Sequence, residues 1–161
     1  MTTVFEEVLK ETIRVRGYKL ATAESCTGGL ISHRITNISG SSEYFSGGVV
    51  AYSYEAKSKL LGVSWDTLNT YGAVSKEVVV EMALGARKLF DSDIAVSVSG
   101  VAGPGGGTPE KPVGSTWFGL SARDGNWVRH FLWDGDRVQN KQYSADAALQ
   151  FVIDYLEGKV S

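Results

Sequence analysis

The sequence is poor in the residues that build metal centres and disulfide frameworks. Its 161 residues include one cysteine, Cys26, and two histidines, His33 and His130. A lone cysteine excludes an intrachain disulfide framework and a cysteine-based zinc site. Two histidines without a convergent set of carboxylates give no zinc site either, so neither a metal nor a cofactor is expected. An excess of one charge is also missing. Sixteen Lys and Arg stand against 18 Asp and Glu, a formal net charge of −2 with a pI near 5.7, which argues against nucleic acid or a membrane surface as the main partner. No apolar run approaches the roughly 18 to 20 residues of a membrane span. Met1–Glu7 lacks the basic and apolar regions of a signal peptide. A soluble, cytoplasmic protein is expected. At 43% hydrophobic residues, the chain can bury a sizeable core as one domain over residues 1–161, with no internal repeat and no linker.

Periodicity supplies the elements. Thr3 to Arg16 carries an apolar stripe at Val4, Phe5, Val8, Leu9 and Ile13, with Thr3 and Glu6 spaced as a capping box and Gly17 as its stop. Strands are predicted over Lys19–Glu24, Gly47–Tyr52 and Ile94–Val98, and helices over Gly28–Ile35, Tyr54–Leu61 and Ser75–Phe90. Ser115–Ala122 and Trp127–Trp133, joined through Asp124-Gly125, form a hairpin. Asp136 with Gln139 caps a final helix. Early alternation of strands and helices, with a late hairpin, predicts a three-layer α/β/α domain with a mixed, mainly parallel sheet.

In such sheets ligands collect at the carboxyl ends of the strands. Three segments leave those ends: Glu24–Gly29, Tyr52–Lys57 and the glycine-dense Gly100–Thr108. The stretch TAESCTGGLIS runs from a strand into a helix start, where free N–H groups and the helix dipole favour an anion or a developing oxyanion. Ser25, just ahead of Gly28-Gly29, can attack there and have the resulting charge stabilised. Alternatively, Ser25 and Thr27 merely cap the helix. His33 lies about 12 Å further along that helix and His130 falls inside the hairpin, so a Ser-His-Asp triad has weak support. Lysine is another partner for a serine nucleophile. Lys57 follows the second strand at the same sheet edge, although taken alone it reads as a solvated helix residue. Cys26 is the rival nucleophile, since a thiol at a helix start can have a lowered pKa. Gly100–Thr108 fails the Walker and dinucleotide fingerprints. A glycine loop near Lys111 and Arg137 can still hold a phosphate through its amides.

Five segments occur in order: TAESCTGGLIS, GSSEYFSGGVVAYSYEAK, YGAVSKEVVVEMALGAR, SVSGVAGPGGGTPEKPVGSTWFGL and GDR. With them the chain resembles the CinA C-terminal family over about residues 5–157. The resemblance implies metal-free hydrolysis of the carboxamide of nicotinamide mononucleotide (NMN) to nicotinate mononucleotide and ammonia. It further implies Ser25 as nucleophile, Lys57 as its base and Tyr52 beside them. Thr27, Gly28 and Gly29 would form the anion-stabilising turn. Ser41, Ser42, the loop residues Gly100, Gly103, Gly105, Gly106 and Thr108, and Arg137 would surround the nucleotide, with Ser42 the alternative nucleophile. The family pattern YSNEAK reads YSYEAK here, with Tyr54 in place of Asn. A catalytically silent nucleotide-binding or regulatory protein on the same fold is the other class of function. Four tryptophans and the hairpin edge offer surface for a homo-oligomer.

Overall fold

A computed structural model describes residues 4–161. Helix α1 (Phe5–Arg16) leads into β1 (Leu20–Glu24), α2 (Leu30–Thr36), a 3-10 turn (Ser41–Glu43) and β2 (Phe45–Val50). Then come α3 (Tyr54–Leu61), α4 (Trp65–Tyr71), α5 (Lys76–Phe90), β3 (Ile94–Gly100), the β4–β5 hairpin (Ser115–Ala122 and Gly125–Leu132) and α6 (Arg137–Leu156). The expected Thr3 cap lies outside the described residues. The other start signals act as their chemistry predicts. Ser75 accepts from the Val78 N–H, and Asp136 and Gln139 form a reciprocal capping box on α6.

The five strands lie in the order β2-β1-β3-β4-β5. β1 is parallel to β2 and β3, whereas β3–β4 and β4–β5 pair antiparallel, so β4 alone runs against the other four. Side-chain alternation along β1 divides the core in two. Leu20 joins Ile94, Val96 and Phe118 beneath α1, α2 and α6. Ala21 and Ala23 join Ala95, Val79 and Met82 beneath α3, α4 and α5. The layers are thus three, with an apolar core on each side of the sheet.

Two differences from the sequence reading matter for the site. β2 spans 45–50 rather than 47–52, so Ala51 and Tyr52 already belong to the loop beyond the sheet edge. Helix α4 was not anticipated. It is seven residues long, buries only Leu68 and has too short a stripe to announce itself; Ser64 caps it through the Asp66 N–H. Gly85 then lets α5 press against α3. A Cβ there would stand 1.8 Å from the Leu61 carbonyl oxygen, so no side chain fits, and α3 is brought close enough for its first turn to face the end of β1.

Candidate active site

Glu24 and Ser25 close β1 with opposite commitments. The buried Glu24 carboxylate turns toward α2 and accepts from the Thr27 hydroxyl (2.6 Å), the Ile31 N–H (2.9 Å), and the N–H and hydroxyl of Ser32 (3.0 and 2.7 Å). The helix cap is therefore a carboxylate supplied by the preceding strand, which suits the positive end of the helix. Ser25 is not the cap. Its N–H donates to the Val98 carbonyl and its carbonyl accepts from Gly28. Its hydroxyl lies on the other face, where α3 delivers Lys57.

Lys57 is 1% exposed, which overturns its reading as a solvated helix residue. Its Nζ donates to Ser25 Oγ at 2.9 Å, to the Ala51 carbonyl at 2.9 Å and to the Tyr52 carbonyl at 3.3 Å. Among the described residues no carboxylate pairs with it. Burial without a counter-charge lowers its pKa from 10.5 to about 8, with only a small opposing influence from Cys26. Glu24, which could have held the ammonium, is occupied by α2. The Cys26 thiol is itself pushed up to about 12 by burial, so it stays protonated and unreactive near neutrality.

A cleft of about 280 Å³ opens onto this pair. Ser25, Cys26, Tyr52, Lys57, Gly100, Gly103, Gly105, Gly106 and Arg137 all line it. The Arg137 guanidinium donates to the Gly103 carbonyl (2.7 Å) and the Tyr52 hydroxyl (3.1 Å), which fix its plane at the rim. Tyr52 is thus bifunctional: its carbonyl holds Lys57 and its hydroxyl holds Arg137. A second cavity, of about 520 Å³, shares Ala102, Gly103 and Arg137 with the first.

Other candidates lie outside the cleft lining. Thr27 spends its hydroxyl on Glu24. Gly28 and Gly29 take positive φ values of 61° and 102°, which glycine alone adopts without strain, and so make the turn rather than a wall. Around this turn the Gly28 N–H donates to Ser25, and the Ile31 and Ser32 amides of α2 donate to Glu24. Ser41 and Ser42 precede β2, whereas Glu24 pairs with Val50 at that strand's other end, so both serines sit at the opposite edge of the sheet from Ser25. Thr108 closes a small turn by accepting from the Lys111 N–H. His33 is exposed on α2 beside Asn37, and His130 pairs with Ser115 on the hairpin.

Sequence reasoning missed Ser99, Ala73 and Val74, which complete the cleft. The register aligning Glu24 with Val98 places Ser99 beside Ser25 on the neighbouring strand. Ser99 is buried and lines the cleft. Its position directly after the Ile94–Val98 run was the available signal. Ala73 and Val74 fall in the segment YGAVSKEVVVEMALGAR, but with α4 hidden nothing in the spacing placed them at the cleft.

Among the described residues no helix is long and apolar enough to cross a membrane. Residues 2–156 match the model of the CinA C-terminal domain family. A putative competence-damage inducible protein of Caldanaerobacter subterraneus subsp. tengcongensis is 46% identical over 154 residues, covering 96% of this chain and 37% of that protein. A CinA-like protein of Chloroherpeton thalassium is 50% identical over 155 residues, covering 94% and 37%. The chain thus spans little more than a third of the length of these curated relatives. Among solved structures, a competence-damaged protein (CinA) superfamily protein from Klebsiella pneumoniae superposes with a TM-score of 0.93 at 31% identity, covering 98% of this chain and 99% of that one. The competence/damage inducible protein CihA from Agrobacterium tumefaciens gives 0.88 at 39%, covering 98% of each.

Proposed function

The chain belongs to the CinA C-terminal domain family, and from that premise we propose that it is an amidohydrolase that converts NMN and water to nicotinate mononucleotide and ammonia. The observation that carries the reading is the contact of 2.9 Å between Lys57 Nζ and Ser25 Oγ, made by a buried lysine that has no carboxylate partner. Such a lysine can lose its proton near neutrality and then accept one from the serine.

In this scheme neutral Lys57 takes the Ser25 proton as Oγ attacks the carboxamide carbon. The oxyanion forms beside the start of the glycine turn, where the Cys26 N–H directly follows the nucleophile and takes no part in the turn's hydrogen bonds. The Ser99 hydroxyl adds a second hydrogen bond to the reacting group. Lys57 passes its proton to the amide nitrogen, the C–N bond breaks and ammonia leaves, with an acyl ester on Ser25. A water deprotonated by Lys57 hydrolyses that ester, giving the acid and free Ser25. At the rim, the guanidinium of Arg137, already oriented by Gly103 and Tyr52, pairs with the 5′-phosphate. No metal enters the scheme.

Ammonia release from NMN by the purified protein tests the reading, together with the same assay on Ser25→Ala. Turnover that depends on Ser25 supports it. Tight NMN binding without ammonia would assign the chain to the silent, ligand-binding class instead.

A further inference from the structure

The cleft wall formed by Ala73 and Val74 belongs to no regular element, yet side chains from two distant parts of the chain grip it. From α3, the Tyr54 hydroxyl accepts from the Ala73 N–H at 3.3 Å. From the far end of the glycine loop, Lys111 Nζ donates to the Tyr71 carbonyl. These groups flank Gly72 closely: a Cβ on it would stand 3.0 Å from Lys111 Nζ and 3.8 Å from Tyr54 Oη. Lys111 is aimed by the small turn in which Thr108 Oγ1 accepts its N–H. Ser75, the α5 cap, completes the grip by donating to the Gly72 carbonyl at 2.8 Å. Tyr54 stands one helical turn before Lys57, and its ring packs near Trp65 with centroids 6.4 Å apart. It does not line the cleft.

We propose that Tyr54 and Lys111 are positioning residues that latch the Tyr71–Val74 segment across the cleft and thereby fix the wall against which the substrate's ring is held. The inference rests on the NMN reading for the identity of that ring. Without the latch the segment keeps only its contacts at Gly72, to Ser75 and Leu68, and the bound nucleotide must order the rest at its own expense. The cost falls on binding, because neither residue touches the reacting atoms. Tyr54→Phe and Lys111→Met should each raise KM for NMN roughly three- to ten-fold while kcat changes less than about two-fold, as expected for loss of one hydrogen bond. Lys111→Arg should restore most of the affinity. Since both residues hold one segment, the double variant should fall short of the product of the two effects.

Hydrogen exchange of the peptide containing Ala73 reads the latch without any assay of turnover. Exchange should be faster in Tyr54→Phe than in the wild-type protein, with melting midpoints alike. An unchanged exchange rate would overturn the latch. Faster exchange with KM for NMN unchanged would overturn its role in holding substrate. A wild-type protein that releases no ammonia from NMN would overturn the proposed reaction, while the exchange comparison would still decide the latch.

Discussion

Substituting Lys57 separates proton transfer from simple charge. With a pKa of about 8, about a tenth of the free protein carries the neutral amine at pH 7, whereas an ordinary lysine at 10.5 would offer some 300-fold less. The rate constant kcat/KM should therefore rise about ten-fold for each pH unit below 7 and level off above about 8.5. Lys57→Arg keeps the charge but cannot give up its proton, so it should lose about 10²- to 10⁴-fold, as Lys57→Ala does. Stability offers an independent measurement. Burial depresses the folded-state pKa below the unfolded value, so between about 8 and 10.5 the unfolded chain binds more protons than the folded one. Lys57 thus imposes its full penalty below about 8 and none above 10.5, a stability gain of about 3 kcal/mol as pH rises through that window. Urea unfolding of wild type and Lys57→Met at pH 7.5 and pH 10 isolates this contribution, because the hydrogen bonds lost in the variant are lost at both. The wild-type protein should gain stability relative to the variant on going to pH 10. An equal pH dependence of stability in the two proteins, or an active Lys57→Arg with the same pH profile, would refute a neutral lysine base.

Ser25→Ala should abolish ammonia release while NMN still binds by calorimetry, and Cys26→Ala should keep most activity because that thiol stays protonated. Arg137→Ala should weaken NMN by about 1.5 to 3 kcal/mol in a titration, the value of a charged hydrogen bond, while barely affecting the dephosphorylated riboside. Glu24→Ala removes the acceptor of four hydrogen bonds, leaving the buried Thr27 hydroxyl and Ile31 N–H without a partner, and should lower unfolding stability by about 3 to 5 kcal/mol in denaturant titration.

Local chemistry made much of the molecule legible from its residues. Ser75, Asp136 and Gln139 announced their helices because a cap works through neighbours two or three residues away. The apolar run Ile94–Val98 announced a strand covered on both faces. Ser25 and Lys57 could be paired because both follow strands of one parallel sheet. What escaped depends on the path of the chain between elements. Ser41 and Ser42 stand near the glycine turn in sequence, but α2 carries the chain back across the sheet before β2 begins, and so removes them from it. The turn's amides looked free because nothing in the spacing tells which face a strand-end carboxylate takes. Glu24 takes the α2 face and accepts from the first helical amides, Ile31 and Ser32. Tyr52, expected beside the reacting pair, meets Lys57 through its carbonyl.

The sheet has a mechanical consequence. Glu24 is anchored in the layer of α1, α2 and α6, while the Ser25 hydroxyl faces the layer of α3, α4 and α5, and one peptide bond joins them. A strand's alternation here acts as a bulkhead between two compartments, one that sets how firmly the turn is moored and one in which the lysine is buried. Repacking Leu9, Ile13 or Phe151 on the first side acts on the mooring first and reaches the lysine's surroundings through Cys26, which belongs to that core and lines the cleft. Repacking Val79 or Met82 on the second reshapes the ground on which α3 rests. Thermal robustness and turnover can on that account be tuned on separate sides of the same strand.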